Sequence, residues 1–218
     1  MLNKKKLIIF DFDGTLFDSI KYLSQAEVNA VKEMGWKPIT EDYARKTIGL
    51  SLSVIYERVS GDTTLSKLQE FTDRFNKFFF SKVKEVGYFE GIESMLATLK
   101  EKGFILTIAT GKGRASLDRL DKMLGFEKYF DATICPSESE PKPSPMMVNL
   151  LLEKYRLKPE EAVVIGDSEH DLKMARNAGV DSVAVTYGAM SRKELEEYCP
   201  PYIVDTVQQL QQTLEAMK

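Results

Sequence analysis

Leu7-Ile8-Ile9-Phe10-Asp11-Phe12-Asp13-Gly14-Thr15 changes character abruptly after its fourth residue, where an apolar run gives way to two acids and a glycine. The run reads as a buried strand, and the acids as the loop at its carboxyl end. Three later stretches repeat the arrangement with other chemistry. Thr110-Gly111-Lys112 follows the apolar residues 105–109, Lys142-Pro143 lies beyond Ala132-Thr133-Ile134, and Gly166-Asp167 follows Val163-Val164-Ile165. In an open parallel sheet such loops emerge at one edge, where α/β folds bind ligands. Carboxylates, a hydroxyl and a lysine from distant segments are therefore expected to converge.

Working outward, short apolar runs at 7–10, 104–109, 132–135, 162–165 and 182–185, with a brief one at 202–204, are bounded by turn residues. Helical patterns at 116–124, 145–155, 171–178 and from 207 alternate with them, the second with Ser144 as cap and Pro145 at its first position. This alternation predicts a doubly wound, mainly parallel, Rossmann-like α/β sheet. Residues 19–85 break it, with helices at 20–34, 41–47, 52–59 and 65–84 and no buried strand between them. They are expected to form an inserted all-helical domain, leaving 1–18 and 86–218 as the core, with Gly87 and Gly91 allowing the second crossing to bend. Phe71, Phe75, Phe78 and Phe79 recur at helical spacing and read as the core of that insertion.

Composition excludes several classes. With 43% hydrophobic and 29% charged residues among 218, the chain has the balance of a soluble globular protein. A net charge of -3 leaves no electrostatic footprint for nucleic acid, and Lys4-Lys5-Lys6 reads as a solvated approach to the first strand. The apolar run behind that triplet stops at Asp11, too soon for a secretory signal, and no window is long enough for a membrane span. Cys135 and Cys199 are far apart and lack metal-ligand spacing, which suits reduced thiols in the cytoplasm.

Asp11 and Asp13 alternate along an extended strand end, so their carboxylates are expected on one side. Two acids beside Phe10 and Phe12 call for a cation, and Mg²⁺ suits carboxylate, water and phosphate oxygens. A calcium loop fails, because it requires glycine where Leu16 stands and glutamate where Tyr22 stands. A dinucleotide fingerprint fails at Ser116, and there is no Walker sequence. Thr110 and Gly111, ahead of a helix starting near Arg114, offer a hydroxyl and amides to a phosphate oxygen. Lys142 between two prolines is an aimed cation, and Asp167 and Asp171, one turn apart, can face one cavity. Each loop alone has an ordinary reading, as an Asp-Gly turn, a βα turn, a surface lysine or a helix cap. The sole histidine, His170, is expected to be solvated or to support the acids without acting on substrate. No G-x-S-x-G occurs, and neither cysteine adjoins a base.

Together, Asp11-x-Asp13-Gly14-Thr15, Thr110, Lys142-Pro143 and Gly166-Asp167-Ser168-x-x-Asp171 resemble, in order and spacing, the signature motifs of the haloacid dehalogenase-like hydrolase superfamily. The helical insertion resembles the cap of its phosphoglycolate phosphatase and β-phosphoglucomutase branch. That resemblance implies a Mg²⁺-dependent phosphatase in which Asp11 is the nucleophile, forming an aspartyl phosphate, and Asp13 the general acid and base. It implies that Thr110 and the Gly111 amide hold the phosphoryl oxygens while Lys142 neutralises charge. Asp11, Asp167 and the Asp13 carbonyl would bind the metal, with Asp171 supporting the metal or Lys142 from just outside. Asp13 argues against halide cleavage, since a halide needs no proton on leaving. Arg45, Lys112 and Arg114 are candidate cations for the rest of a small phosphorylated metabolite, with phosphoglycolate first and a sugar phosphate or pyrophosphate close behind. A phosphomutase of the same fold is the alternative, and a monomer or weak homodimer is expected. One departure stands out: Glu90 precedes Gly91 where relatives often have proline.

Overall fold

The computed structural model describes residues 4–218; the first three residues of the expected core segment lie outside them. Six parallel strands form one sheet: β1 (Leu7–Phe10), β2 (Ile105–Ala109), β3 (Ala132–Ile134), β4 (Ala162–Gly166), β5 (Asp181–Val185) and β6 (Tyr202–Val204). Their order is β3-β2-β1-β4-β5-β6, so the winding reverses beside β1. In register, Phe10 lies opposite Ile108 of β2 and Ile165 of β4. All four β1 side chains are fully buried, which is why its sequence is a continuous apolar run rather than an alternating one. Ile8 and Phe10 join the cluster on one face, and Leu7 and Ile9 the cluster on the other.

Helices α5 (Ile92–Glu101) and α10 (Val207–Ala216) cover the first face, while α7 (Met146–Tyr155) and α8 (Glu169–Asn177) cover the second. α6 (Arg114–Leu124) follows β2, and short α9 (Arg192–Glu196) precedes β6. α5 has no counterpart among the helices expected above, although Ile92, Met95, Leu96 and Leu99 form its buried face. α8 starts two residues earlier than expected because Ser168 caps it and Asp171 reaches back to the Ser168 amide. Pro145 is the cap of α7 rather than its first helical residue.

Between β1 and α5 lie α1 (Ile20–Glu33), α2 (Glu41–Arg45), α3 (Leu52–Ser60) and α4 (Leu68–Lys82), with no sheet strand among them. α4 begins later than the periodicity predicts. Asp62 accepts hydrogen bonds from the amides of Thr64 and Ser66, at 2.8 and 3.0 Å, and from the Tyr56 hydroxyl, at 2.6 Å. Those bonds hold a loop through Leu65 in place of another helical turn. Phe71, Phe75 and Phe79 are buried against α1 and its neighbours, with Phe71 stacked on Trp36. The two crossings run side by side: the Asp18 amide donates to the Gly87 carbonyl, and the Phe89 amide to the Leu16 carbonyl.

The lysine triplet is not uniformly solvated. Lys4 and Lys6 are exposed, but Lys5 is buried, with its ammonium 2.6 Å from Asp181 and 2.9 Å from the Glu160 carbonyl. Among the described residues, no helix is long and apolar enough to cross a membrane.

Candidate active site

The loop after β1 continues the ladder for one residue, as the Asp11 amide donates to the Ile165 carbonyl. The two acids then part. Asp11 is buried, and its Oδ1 accepts from the Lys142 ammonium at 2.5 Å, while its Oδ2 is buried with no partner. Asp13 turns to Ser19, whose hydroxyl donates to it at 2.7 Å, and to the Lys112 ammonium at 3.0 Å. Each of the two acids thus has a lysine of its own.

The carboxylates that do crowd together are those of Asp11, Asp167 and Asp171, each with an oxygen within 4.8 Å of the others'. Asp167 accepts from the Thr15 hydroxyl at 3.1 Å and from the Ala189 amide at 2.6 Å. Asp171 accepts from Lys142 at 2.6 Å and from the Ser168 hydroxyl at 2.6 Å. Burial pushes the Asp11 carboxyl up to about 7 against the pull of Lys142, and Asp171 adds to the rise. Burial also raises Asp167 well above the usual carboxylate range, helped by the charges of Asp11 and Asp171. Burial alone would lower Lys142, but the carboxylates of Asp11 and Asp171 outweigh it and hold its proton more tightly. Three acids against one ammonium leave an excess of negative charge out of water, and a bare Asp11 oxygen faces it. That donor set fits a hard divalent cation.

Backbone packs tightly here. A side chain on Gly14, whose φ is +81°, would place its first carbon 2.1 Å from the Asp167 carboxylate. Gly188, which no sequence signal marked, would do so at 2.3 Å. Its neighbour Ala189 supplies the amide that holds Asp167.

On the β2 side, Thr110 is buried and its hydroxyl accepts from the Lys112 amide at 3.1 Å, just before α6 begins. Arg114 points elsewhere, to Thr133 at 2.8 Å and Glu138 at 2.7 Å. Arg45 lies at the other margin. Its guanidinium donates to the Ala189 carbonyl and reaches Asp42 at 3.3 Å, so it touches the loop that fixes Asp167.

The helical unit closes over this edge. A side chain on Gly111 would meet the Gly49 carbonyl at 2.3 Å, so the 49–50 backbone rests directly on the loop after β2. The cavity left between them is about 50 Å³ and is lined by Asp13 and Lys112 from below. From above it is lined mainly by apolar side chains, including Leu23, Ile48 and Leu50, together with Glu27. Arg45 is not part of that lining. His170 is buried rather than solvated: it lies under the 46–49 turn, with Nε2 unpartnered and its ring directed at the Lys46 backbone. Burial lowers its proton affinity despite Asp171 and Glu169 nearby.

Glu27 is pushed up to about 7 by burial, opposed by the Thr47 hydroxyl and the Arg58 charge. Unfolded, the carboxyl ionises near its ordinary value of 4.5, whereas the folded protein keeps the proton until about 7. Stability is therefore lost as pH rises through that window and is level above it. Glu27→Gln is expected to melt higher than the parent chain at pH 8 and at the same temperature near pH 4. A gain of equal size at both pH values would contradict the buried-acid assignment.

The sequence profile of the haloacid dehalogenase-like hydrolases matches residues 8–185. The chain belongs to that family. It is 30% identical over 216 residues to a phosphoglycolate phosphatase of Vibrio vulnificus, with 94% of each chain covered. A Clostridium acetobutylicum protein described as a predicted phosphatase superposes with a TM-score of 0.85 at 25% identity, covering 98% of this chain and 99% of that one. A hydrolase from Pseudomonas syringae shares the fold at a TM-score of 0.87 and 22% identity, covering 97% and 99%.

Proposed function

We propose that the protein hydrolyses a small phosphomonoester by a two-step transfer through Asp11, on a core formed by residues 1–18 and 86–218 with residues 19–85 as its cap. The observation that carries this is the buried Asp11, with one oxygen held by Lys142 and the other free. The free oxygen attacks phosphorus as the bond to the leaving alcohol breaks, giving an aspartyl phosphate. Asp13, held by Ser19 and Lys112 at the wall of the cavity, gives its proton to the departing alkoxide. It then takes a proton from water as that water attacks phosphorus and frees Asp11. Thr110, the Gly111 amide and Lys112 receive the phosphoryl oxygens, and Lys142 offsets charge on Asp11. Asp11, Asp167 and the Asp13 main-chain carbonyl would hold Mg²⁺, with Asp171 anchoring Lys142; the ion would supply positive charge for the transferring oxygens.

The small cavity, about 50 Å³, between Asp13 and Lys112 and the apolar residues above them supports a small leaving group. Phosphate release with Mg²⁺ from phosphoglycolate, glycerol phosphate, β-glucose 1-phosphate and pyrophosphate tests the reading. Glucose 6-phosphate formed in the presence of a bisphosphate primer would instead favour a mutase. Two unpaired cysteines support a cytoplasmic site of action, and the short roll of exposed large apolar side chains, Tyr43, Met123, Met146 and Tyr202, supports a monomer or weak homodimer.

Entry of substrate requires the cap to lift and product formation requires it to seat. In Gly111→Ala the added methyl collides with the Gly49 carbonyl, a backbone atom that cannot rotate aside. Turnover is expected to fall at least about tenfold, with faster amide exchange at residues 47–50. Unchanged turnover would mean that the seated cap is not the working state.

A further inference from the structure

The geometry points to Glu27 as the residue that selects the leaving group, by accepting a hydrogen bond from a hydroxyl on the alcohol half of the substrate; this rests on the phosphatase reading above. Glu27 stands on α1, is 1% exposed, lines the cavity, and has an Oε1 with no partner. Its other oxygen, Oε2, lies 2.6 Å from the Thr47 hydroxyl, which also lies 2.7 Å from the Ala44 carbonyl. A hydroxyl carries one hydrogen, and Ala44 has no proton to share. That hydrogen serves either acceptor, and when it goes to Ala44 a proton on Oε2 can bridge back to Thr47. In both arrangements Oε1 is left a bare acceptor, in a mainly apolar roof whose other polar side chain is Asn76. Burial favours the arrangement in which the carboxyl keeps its proton.

A buried acceptor without a partner is unfavourable, and a substrate donor that satisfies it gains what the empty site lacks. A leaving group bearing a second hydroxyl supplies that donor. A hydrocarbon leaves Oε1 bare, and a carboxylate such as that of phosphoglycolate brings oxygen against oxygen. The cavity admits only a short chain. The substrate class is therefore the monophosphate of a small diol or polyol.

The test compares glycerol phosphate with n-propyl phosphate, which has the same carbon count and no free hydroxyl, and with phosphoglycolate. The parent chain is expected to favour glycerol phosphate over both by about tenfold or more in kcat/KM. Glu27→Leu should bring the glycerol-to-propyl ratio close to one. Glu27→Gln should keep it, because the amide N–H can replace the acid proton toward Thr47 while its oxygen faces the cavity. Melting curves confirm that both variants are folded. No preference in the parent, a preference that survives in Glu27→Leu, equal loss in Glu27→Gln, or faster turnover of phosphoglycolate would each overturn the assignment. Phosphate released without the preference sinks this inference alone, whereas no phosphate from any ester sinks the phosphatase reading with it.

Discussion

Asp11→Asn is expected to release phosphate at least about a thousandfold more slowly than the parent chain, with its fold intact. An amide is a poor nucleophile toward phosphorus and cannot form the acyl phosphate. The fold should survive because the change removes charge from a place with too much of it. Asp11, Asp167 and Asp171 share one pocket with a single buried ammonium. After substitution Lys142 still has Asp171 at 2.6 Å, and the excess of negative charge is smaller. Melting temperature without added metal should stay level or rise. Phosphate release and thermal melting on the same preparations check both halves, and equal turnover in the two proteins would remove Asp11 from the nucleophile role.

Lys142→Met reverses that electrostatic argument and carries the largest expected loss of stability. The ammonium is wholly buried, 2.5 Å from Asp11 and 2.6 Å from Asp171. Removing one partner of a buried ion pair typically costs about 3–5 kcal/mol, because the charge left behind is uncompensated. For a chain of this size that corresponds to a fall in melting temperature of roughly 10 °C. If Mg²⁺ binds the same acids, it should raise the melting temperature of Lys142→Met more than that of the parent. Asp167→Asn should weaken the rise in either background. Melting with EDTA or with Mg²⁺ reads out all four proteins. A Lys142→Met chain as stable as the parent in EDTA would mean that the acids already hold protons and need no cation.

Much of the framework was legible because it depends on local pattern. The short apolar runs could only be buried strands, and loops leaving parallel strands must share an edge, so Asp11, Thr110, Lys142 and Asp167 could be brought to one edge before any coordinates. Partnership was not legible. Nothing local says that Asp13 takes Lys112 while Asp11 takes Lys142, since the second pairing spans 131 residues and the first somewhat fewer, and both are fixed by how layers pack. The same holds for the Ala189 amide on Asp167, the Ala189 carbonyl on Arg45, and buried His170 beneath the 46–49 turn. Glu27 sat unnoticed in a helical pattern where an acid reads as a solvated face. α5 was different: its apolar spacing was present and went unread beside the more prominent turn at Gly91.

Phe17 and Tyr88 pair in antiparallel fashion, their rings stacked 4.2 Å apart, so the outgoing and returning chain pass through a single doorway. Whatever polypeptide hangs between Asp18 and Gly87 begins and ends at the same spot. A longer or shorter segment joined at that spot would leave the strands unstretched.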